Sequence, residues 1–298
     1  MSKEEKNILN NSSDSNFEEI IKATSKLKVP PSKLGKEATW DILMQSIDTK
    51  DKKETKTVSI SSRTTWLSVA ASLIVLFTIS TLVYKYSLVQ VESLKGTFAN
   101  VLLPDSSEVK LNADSKIEYR KYGWVKNREI KLTGEAFFSV KKGERFTVIT
   151  DFDRKIVVTG TKFNVFARGE QFEVKCFEGS VNVETSKINR VALVKGKGIS
   201  IRNIKELPLT LELDSIESPK WIIGEFYFND RSLNLVFEEL SRQFNIKVSI
   251  SEGIAPESRK YTGYFKKNSL KQALNLVCLP MGLTYQISSD STSVKINK

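Results

Sequence analysis

Residues 160–185 read GTKFNVFARGEQFEVKCFEGSVNVET, and apolar and polar side chains alternate through almost all of the stretch. Successive side chains of an extended chain point to opposite faces. Phe163, Val165, Phe172, Val174, Cys176, Val181 and Val183 therefore share one face, with Gly169 and Gly179 at the turns. The pattern predicts a regular β-sheet that covers a core. No side chain in it is placed as a nucleophile, a base or a metal ligand. Outward from this stretch the strand signals continue from Val91 to about Ile201, in runs such as VLLPDSSEVKLNADSKIEY and REIKLTGEAFFSV. Short alternating runs with Gly, Asn or Asp turns predict a β-sandwich, barrel or roll. No helical period interrupts them.

Composition narrows the function. A chain of 298 residues has room for two domains of roughly 150 residues each. Histidine is absent, which removes Ser-His and Cys-His nucleophile activation and the commonest metal ligand. The two cysteines, Cys176 and Cys278, have no C-x-x-C spacing, so neither a zinc site nor a redox dithiol is indicated. Cys176 reads as a small core residue and Cys278 as half-buried; a disulfide between them is conceivable, though they sit in different domains. The net charge of +11 is concentrated towards the C-terminus, where residues 187–298 carry 17 Lys/Arg against 11 Asp/Glu. Basic residues are not gathered on one element as a nucleic-acid surface requires, and no direct nucleic-acid partner is expected. Lys266, Lys267 and Lys271 form the densest group.

The longest uncharged run, TTWLSVAASLIVLFTISTLVY at 64–84, would span about 31 Å as a helix, matching the roughly 30 Å hydrocarbon layer. Trp66 near one end, and Tyr84 and Tyr86 near the other, suit the headgroup region. A signal peptide would begin within the first few residues rather than behind a charged segment. The twenty residues before the span hold five basic side chains and the twenty after it two. The positive-inside rule then leaves residues 1–63 in the cytoplasm and exports the rest.

Before the span, Ser15 and Glu18 have capping-box spacing, and Phe17, Ile20, Ile21 and Thr24 form a helical stripe that Pro30-Pro31 ends. A second stripe places Trp40, Leu43, Met44 and Ile47 at i, i+3, i+4 and i+7, followed by a solvated linker, DTKDKKETKTVSISSR. Two short helices cannot close a core alone. They predict helix-in-groove binding of a partner protein, or else a loose hairpin or helices lying on the membrane surface.

The last hundred residues repeat themselves. FNDRSL (228–233) and FKKNSL (265–270) share F-x-x-x-S-L, and each opens a helical stripe: Leu233, Val236, Phe237, Leu240, then Leu270, Ala273, Leu274, Val277. Each stripe leads to a strand, NIKVSI and GLTYQI, and Ser269 with Gln272 has capping-box spacing. Two β-α-β units are predicted, an internally duplicated α+β domain.

Four blocks in order, LPDSSEVKLNADSKIEY, KLTGEAFFSV, GTKFNVFA and FEGSVNVE, resemble the periplasmic domain of the FecR family of membrane-anchored sigma-factor regulators. Ser106 departs from that pattern, which has glycine after LPD. WIIGEFYFNDRSL, from Trp221, resembles the opening of the module that follows such domains, itself similar to the secretin/TonB short N-terminal domain. The resemblance implies a single-pass inner-membrane protein without catalytic residues, metal or cofactor. Its parts would be a sigma-factor-interacting segment and linker at 1–63, a transmembrane helix at 64–84, an all-β periplasmic roll or sandwich at 90–203, and an α+β docking domain of two β-α-β repeats at 220–298. It implies an anti-sigma factor acting on an extracytoplasmic-function sigma factor, and position together with the second stripe makes Trp40, Leu43, Met44 and Ile47 the expected contact. The signalling domain of a TonB-dependent outer-membrane transporter would dock on a sheet edge beside Lys266, Lys267 and Lys271. These lysines could equally serve only to keep an edge soluble. A non-signalling envelope scaffold, and a glycan-binding or hydrolytic envelope protein, remain open alternatives.

Overall fold

The computed structural model describes residues 21–25, 35–48, 62–185, 188–203, 207–213 and 217–298. The Ser15–Glu18 box, Phe17, Ile20, Pro30-Pro31 and most of the linker before the apolar run lie outside these residues. The chain divides into two compact units, 1–69 and 70–298. In the first, the Ser25 amide donates to the Ile21 carbonyl in a helical turn (2.9 Å). Helix α1, Lys36–Asp48, carries the Trp40, Leu43, Met44 and Ile47 stripe, with all four side chains exposed. Helix α2, Ser62–Tyr86, runs across the division. Its segment Thr65–Tyr86 is long and apolar enough to cross a membrane, with no part of that stretch buried, and no other such helix occurs among the described residues.

In the second unit the chain passes from α2 through one residue, Ser87, into a β module. Its first strands are β1 (Leu88–Ser93), β2 (Ala99–Leu102), β3 (Glu108–Leu111), β4 (Ser115–Arg120) and β5 (Arg128–Ser139). Then follow β6 (Phe146–Thr150), β7 (Arg154–Val158), β8 (Lys162–Arg168) and β9 (Gln171–Glu178). The series closes with β10 (Ser180–Thr185), β11 (Ile188–Val194), β12 (Lys197–Ile201) and β13 (Leu209–Glu212). All thirteen belong to one sheet, and β5 is shared between its halves. The first part of β5 pairs with β4 and β6, and the second part with β3 and β8. The strand turns from one half to the other at Gly134, whose φ is +99°. A Cβ there would lie 2.5 Å from the Ser115 hydroxyl, so only glycine fits.

The two halves enclose a core that includes Leu111, Ile117, Ile130, Leu132, Phe138, Phe146, Phe163 and Phe172. The predicted inward face of residues 160–185, Phe163 through Val183, lies in this core, and Gly169 and Gly179 have the positive φ of turns. The two thiols are separate and buried, which pushes their pKa values up to about 11 for Cys176 and about 12 for Cys278. Cys278 is fully rather than half buried, because it joins Val277 beneath its helix.

The C-terminal module begins with a 3-10 turn at Lys220–Ile223. It continues as β14 (Glu225–Ser232), α3 (Leu233–Phe244), β15 (Lys247–Ile250), β16 (Lys260–Lys266), α4 (Leu270–Cys278), β17 (Thr284–Ile287) and β18 (Ser293–Asn297). Each helix buries the stripe expected of it, although Leu270 is only partly covered. Ser269 caps α4 by accepting from the Gln272 amide. The strands of the two units lie in two separate sheets. Strand β14 pairs with β16 in a two-stranded ribbon, while β15 and β17 flank β18. Stacked rings hold the ribbon together: Phe226 and Phe228 lie 5.0 and 5.7 Å from Phe265, across it.

Candidate functional site: the seam between two modules

The outer face of β5, β8 and β9 carries side chains that alternate with the core residues: Glu135 and Phe137, Asn164 and Phe166, Glu173 and Phe177. In water these would be an ordinary polar face. Here the C-terminal module covers part of it. Phe137 and Phe177, in edge contact at 5.8 Å, enter the hydrophobic cluster of Leu233, Phe237 and Phe265. Burial of both faces explains why the alternation fails in GEAFFSV: from Glu135 to Phe138 every side chain of β5 is buried.

A hydrogen-bonded chain crosses the seam. The Glu135 carboxylate accepts from Asn112 Nδ2 (2.7 Å) and Asn164 Nδ2 (2.8 Å). Asn164 Oδ1 accepts from the indole of buried Trp221 (3.0 Å), and Asn112 Oδ1 from Gln243 Nε2 (2.8 Å). Gln243 also donates to Glu239 (2.7 Å), which Arg242 holds from the other side (2.9 Å). The amides are thus oriented by partners at both ends. Burial, with Glu239 adding repulsion, raises the Glu135 pKa against the pull of the two amides. At the flank Arg231 pairs with Glu173 (2.6 Å), which Lys175 also holds (2.5 Å). Burial would raise the Glu173 pKa, but the two cations outweigh it and leave it lowered. Beside this network a cleft of about 610 Å³ opens between β8, β9 and β14, lined among others by Phe166, Trp221, Tyr227 and Arg231.

The sequence-expected lysines are drawn partly into the fold. Lys266 pairs with Glu225 across the ribbon (2.7 Å). Lys267 lies over the Phe98 ring (4.0 Å) and donates to the Gly96 carbonyl (2.8 Å), so it belongs to the seam; burial lowers its pKa. Lys271 is exposed on α4. The structure therefore does not gather the three into one free patch. Among the described residues no group of three or more His, Cys, Asp and Glu is placed to hold a metal ion.

Residues 89–182, β1 to the start of β10, match the family model described as FecR protein; residues 225–294 match that described as FecR, C-terminal. The two matches together span more than half of the chain, in the order found here. The chain belongs to the FecR family. Two crystal structures from Parabacteroides distasonis ATCC 8503, each of a provisionally designated anti-sigma factor, share the fold seen here. Both are 25% identical to this chain; their TM-scores are 0.64 and 0.63, and they cover 71% and 70% of it and 99% of their own length. No curated protein matches. Trp221 and the turn that presents it fall between the two FecR matches.

Proposed function

We propose that this FecR-family chain is an anti-sigma regulator that spans the inner membrane once, with α1 in the cytoplasm and both modules in the periplasm. The observation that carries this reading is the ordered pair of FecR matches behind one apolar helix. The designation of the two Parabacteroides distasonis proteins supports the same role. In the cytoplasm, the exposed stripe of α1 seats in a groove of an extracytoplasmic-function sigma factor, with Trp40 as anchor and Leu43, Met44 and Ile47 around it. In the periplasm, the ribbon of β14 and β16 has no third strand among the described residues. It offers an edge to which the signalling domain of a TonB-dependent transporter adds. Lys271, exposed on α4, steers an acidic surface there. Lys267 acts differently, by holding the seam. Docking bears on a module whose core contains Phe137 and Phe177 of the β module, so strain at the ribbon reaches the β module directly. No catalytic step, metal or cofactor enters the mechanism.

The test is capture of the sigma factor by the full chain in detergent. Trp40→Ala is expected to weaken binding by about 2 kcal/mol, as truncating a buried aromatic anchor does, with membrane levels unchanged. Equal capture by both proteins overturns the assignment of the stripe.

A further inference from the structure

The junction between α2 and the β module contains a single residue. Ser87 is buried; its amide and hydroxyl both donate to the Tyr84 carbonyl (3.3 and 2.7 Å), and its own carbonyl accepts from Lys121 (3.0 Å). Arg120 donates to the same Tyr84 carbonyl (2.8 Å) and lies over the Tyr84 ring (4.3 Å). Leu88 pairs with Arg120, so the loop that follows β4, residues 121–127, stands where the helix emerges. Ser87 alone separates α2 from the strand that pairs beside this loop, so a bilayer crossed by α2 would lie next to this end of the module.

The loop reads KYGWVKN. Trp124 is turned inward, edge-on to Tyr119 (5.4 Å) and Phe146 (5.9 Å), and the Lys126 and Asn127 amides both donate to the Gly123 carbonyl (3.0 Å). With its tryptophan anchored, the loop presents Tyr122 and Val125 outward, 60% and 86% exposed, between Lys121 and Lys126. A second exposed loop, KKGER at 141–145, is fixed to the same end by Arg128, which donates to the carbonyls of Glu144 (2.7 Å) and Lys141 (3.1 Å). The two loops carry five basic side chains and one acidic one. None of the five basic groups is in an ion pair among the described residues.

We infer that this end of the β module is a membrane-docking surface: Tyr122 and Val125 enter the headgroup layer, and the basic side chains of the two loops bind anionic phospholipid headgroups. An amphipathic ring and an aliphatic side chain beside unpaired cations suit that layer, and anionic lipids attract such clusters. Tethering by α2 makes weak contacts sufficient, since the loops are held at the surface whether or not they bind. The inference needs only that α2 crosses a bilayer; it does not depend on the sigma factor, the transporter or the direction of insertion.

The full chain carrying Val125→Cys, labelled with an environment-sensitive fluorophore, is reconstituted into nanodiscs of phosphatidylcholine with or without phosphatidylglycerol. Its native thiols are buried. The expected result is a blue-shifted emission that is quenched by lipid-borne nitroxide and is larger with phosphatidylglycerol. The shift should be reduced by high salt and by the paired substitutions Lys121→Glu and Lys126→Glu. A reference label at Phe152→Cys, in the turn at the other end of β6, is expected to remain aqueous. Equal, unquenched emission from the two positions overturns the docking. Quenching that is indifferent to phosphatidylglycerol overturns the anionic-headgroup part. Hydrogen exchange on the unlabelled chain guards against damage from the label: amides 121–127 unchanged between detergent and anionic nanodiscs also overturns the inference.

Discussion

Ser106 sits at φ +62° in the turn between β2 and β3, where its amide closes on the Leu103 carbonyl (2.9 Å). Its side chain is exposed, and the family pattern has glycine here because a left-handed backbone penalises any Cβ. Ser106→Gly is expected to stabilise the chain by about 0.5–1 kcal/mol: relief of the left-handed penalty exceeds the extra entropy of an unfolded glycine. Chemical denaturation of the two proteins side by side measures it. Glu135 has the opposite character, a carboxyl placed by its surroundings at some cost. Its pKa is raised above the usual 4.5, first by burial and then by Glu239. The folded chain therefore holds this proton more tightly than the unfolded one. Its contribution is full below the usual carboxylate value and is lost as pH rises through the raised one, by about 1.4 kcal/mol for each unit of elevation. Asp105 and Glu173, whose pKa values are lowered, slope the other way, so the difference between wild type and Glu135→Gln is the quantity to follow. That difference is expected to shift against the wild type as pH rises above about 4.5; a flat difference refutes the account.

At the scale of elements, α2 decides topology. Five basic residues before it against two after it predict, by the positive-inside rule, that the N-terminal segment stays inside. A periplasm-dependent reporter fused after Lys298 is expected to be active; activity of a cytoplasm-dependent reporter alone reverses the orientation. The ribbon of β14 and β16 is the other element with an unmet capacity, since both strands lack a further partner among the described residues. Its outer face stacks Tyr227 on Tyr264 (5.4 Å), both exposed, so the edge offers aromatic surface together with backbone hydrogen bonds.

For the whole molecule, the shared core has a consequence for any truncation. Removing residues 221–298 takes away the cover over Phe137 and Phe177 and leaves Asn164 without Trp221 and Asn112 without Gln243, the two amides that hold Glu135 being Asn164 and Asn112. The truncated chain is expected to lose its response to the transported substrate, with transcription held on or off. Losing this much shared apolar surface is also expected to lower the stability of the β module itself, by several kcal/mol. Reporter transcription with and without substrate, read alongside the thermal melting of the β module, separates the two effects. Normal induction in the truncation refutes the docking role.

Alternation at 160–185, the uncharged run and the repeated F-x-x-x-S-L were enough, without coordinates, to determine the strands, the long apolar helix and the two helical stripes, because each is set by local composition or backbone periodicity. The inward residues Phe163 to Val183 could be named for the same reason. What lies on the other face of those strands could not. Glu135, Asn164 and Phe177 occupy positions that alternation assigns to solvent, and only the arrival of the C-terminal module makes them interior. The consecutive apolar residues of GEAFFSV were the one local sign of a second buried face. Pairing of β14 with β16 across about thirty residues likewise escaped the repeat, since a duplicated sequence specifies equivalent units but not which strands of the two units meet. That choice belongs to tertiary packing: it rests on contacts between residues far apart in the chain, Phe226 on Phe265 and Trp221 on Asn164, and no local pattern encodes them.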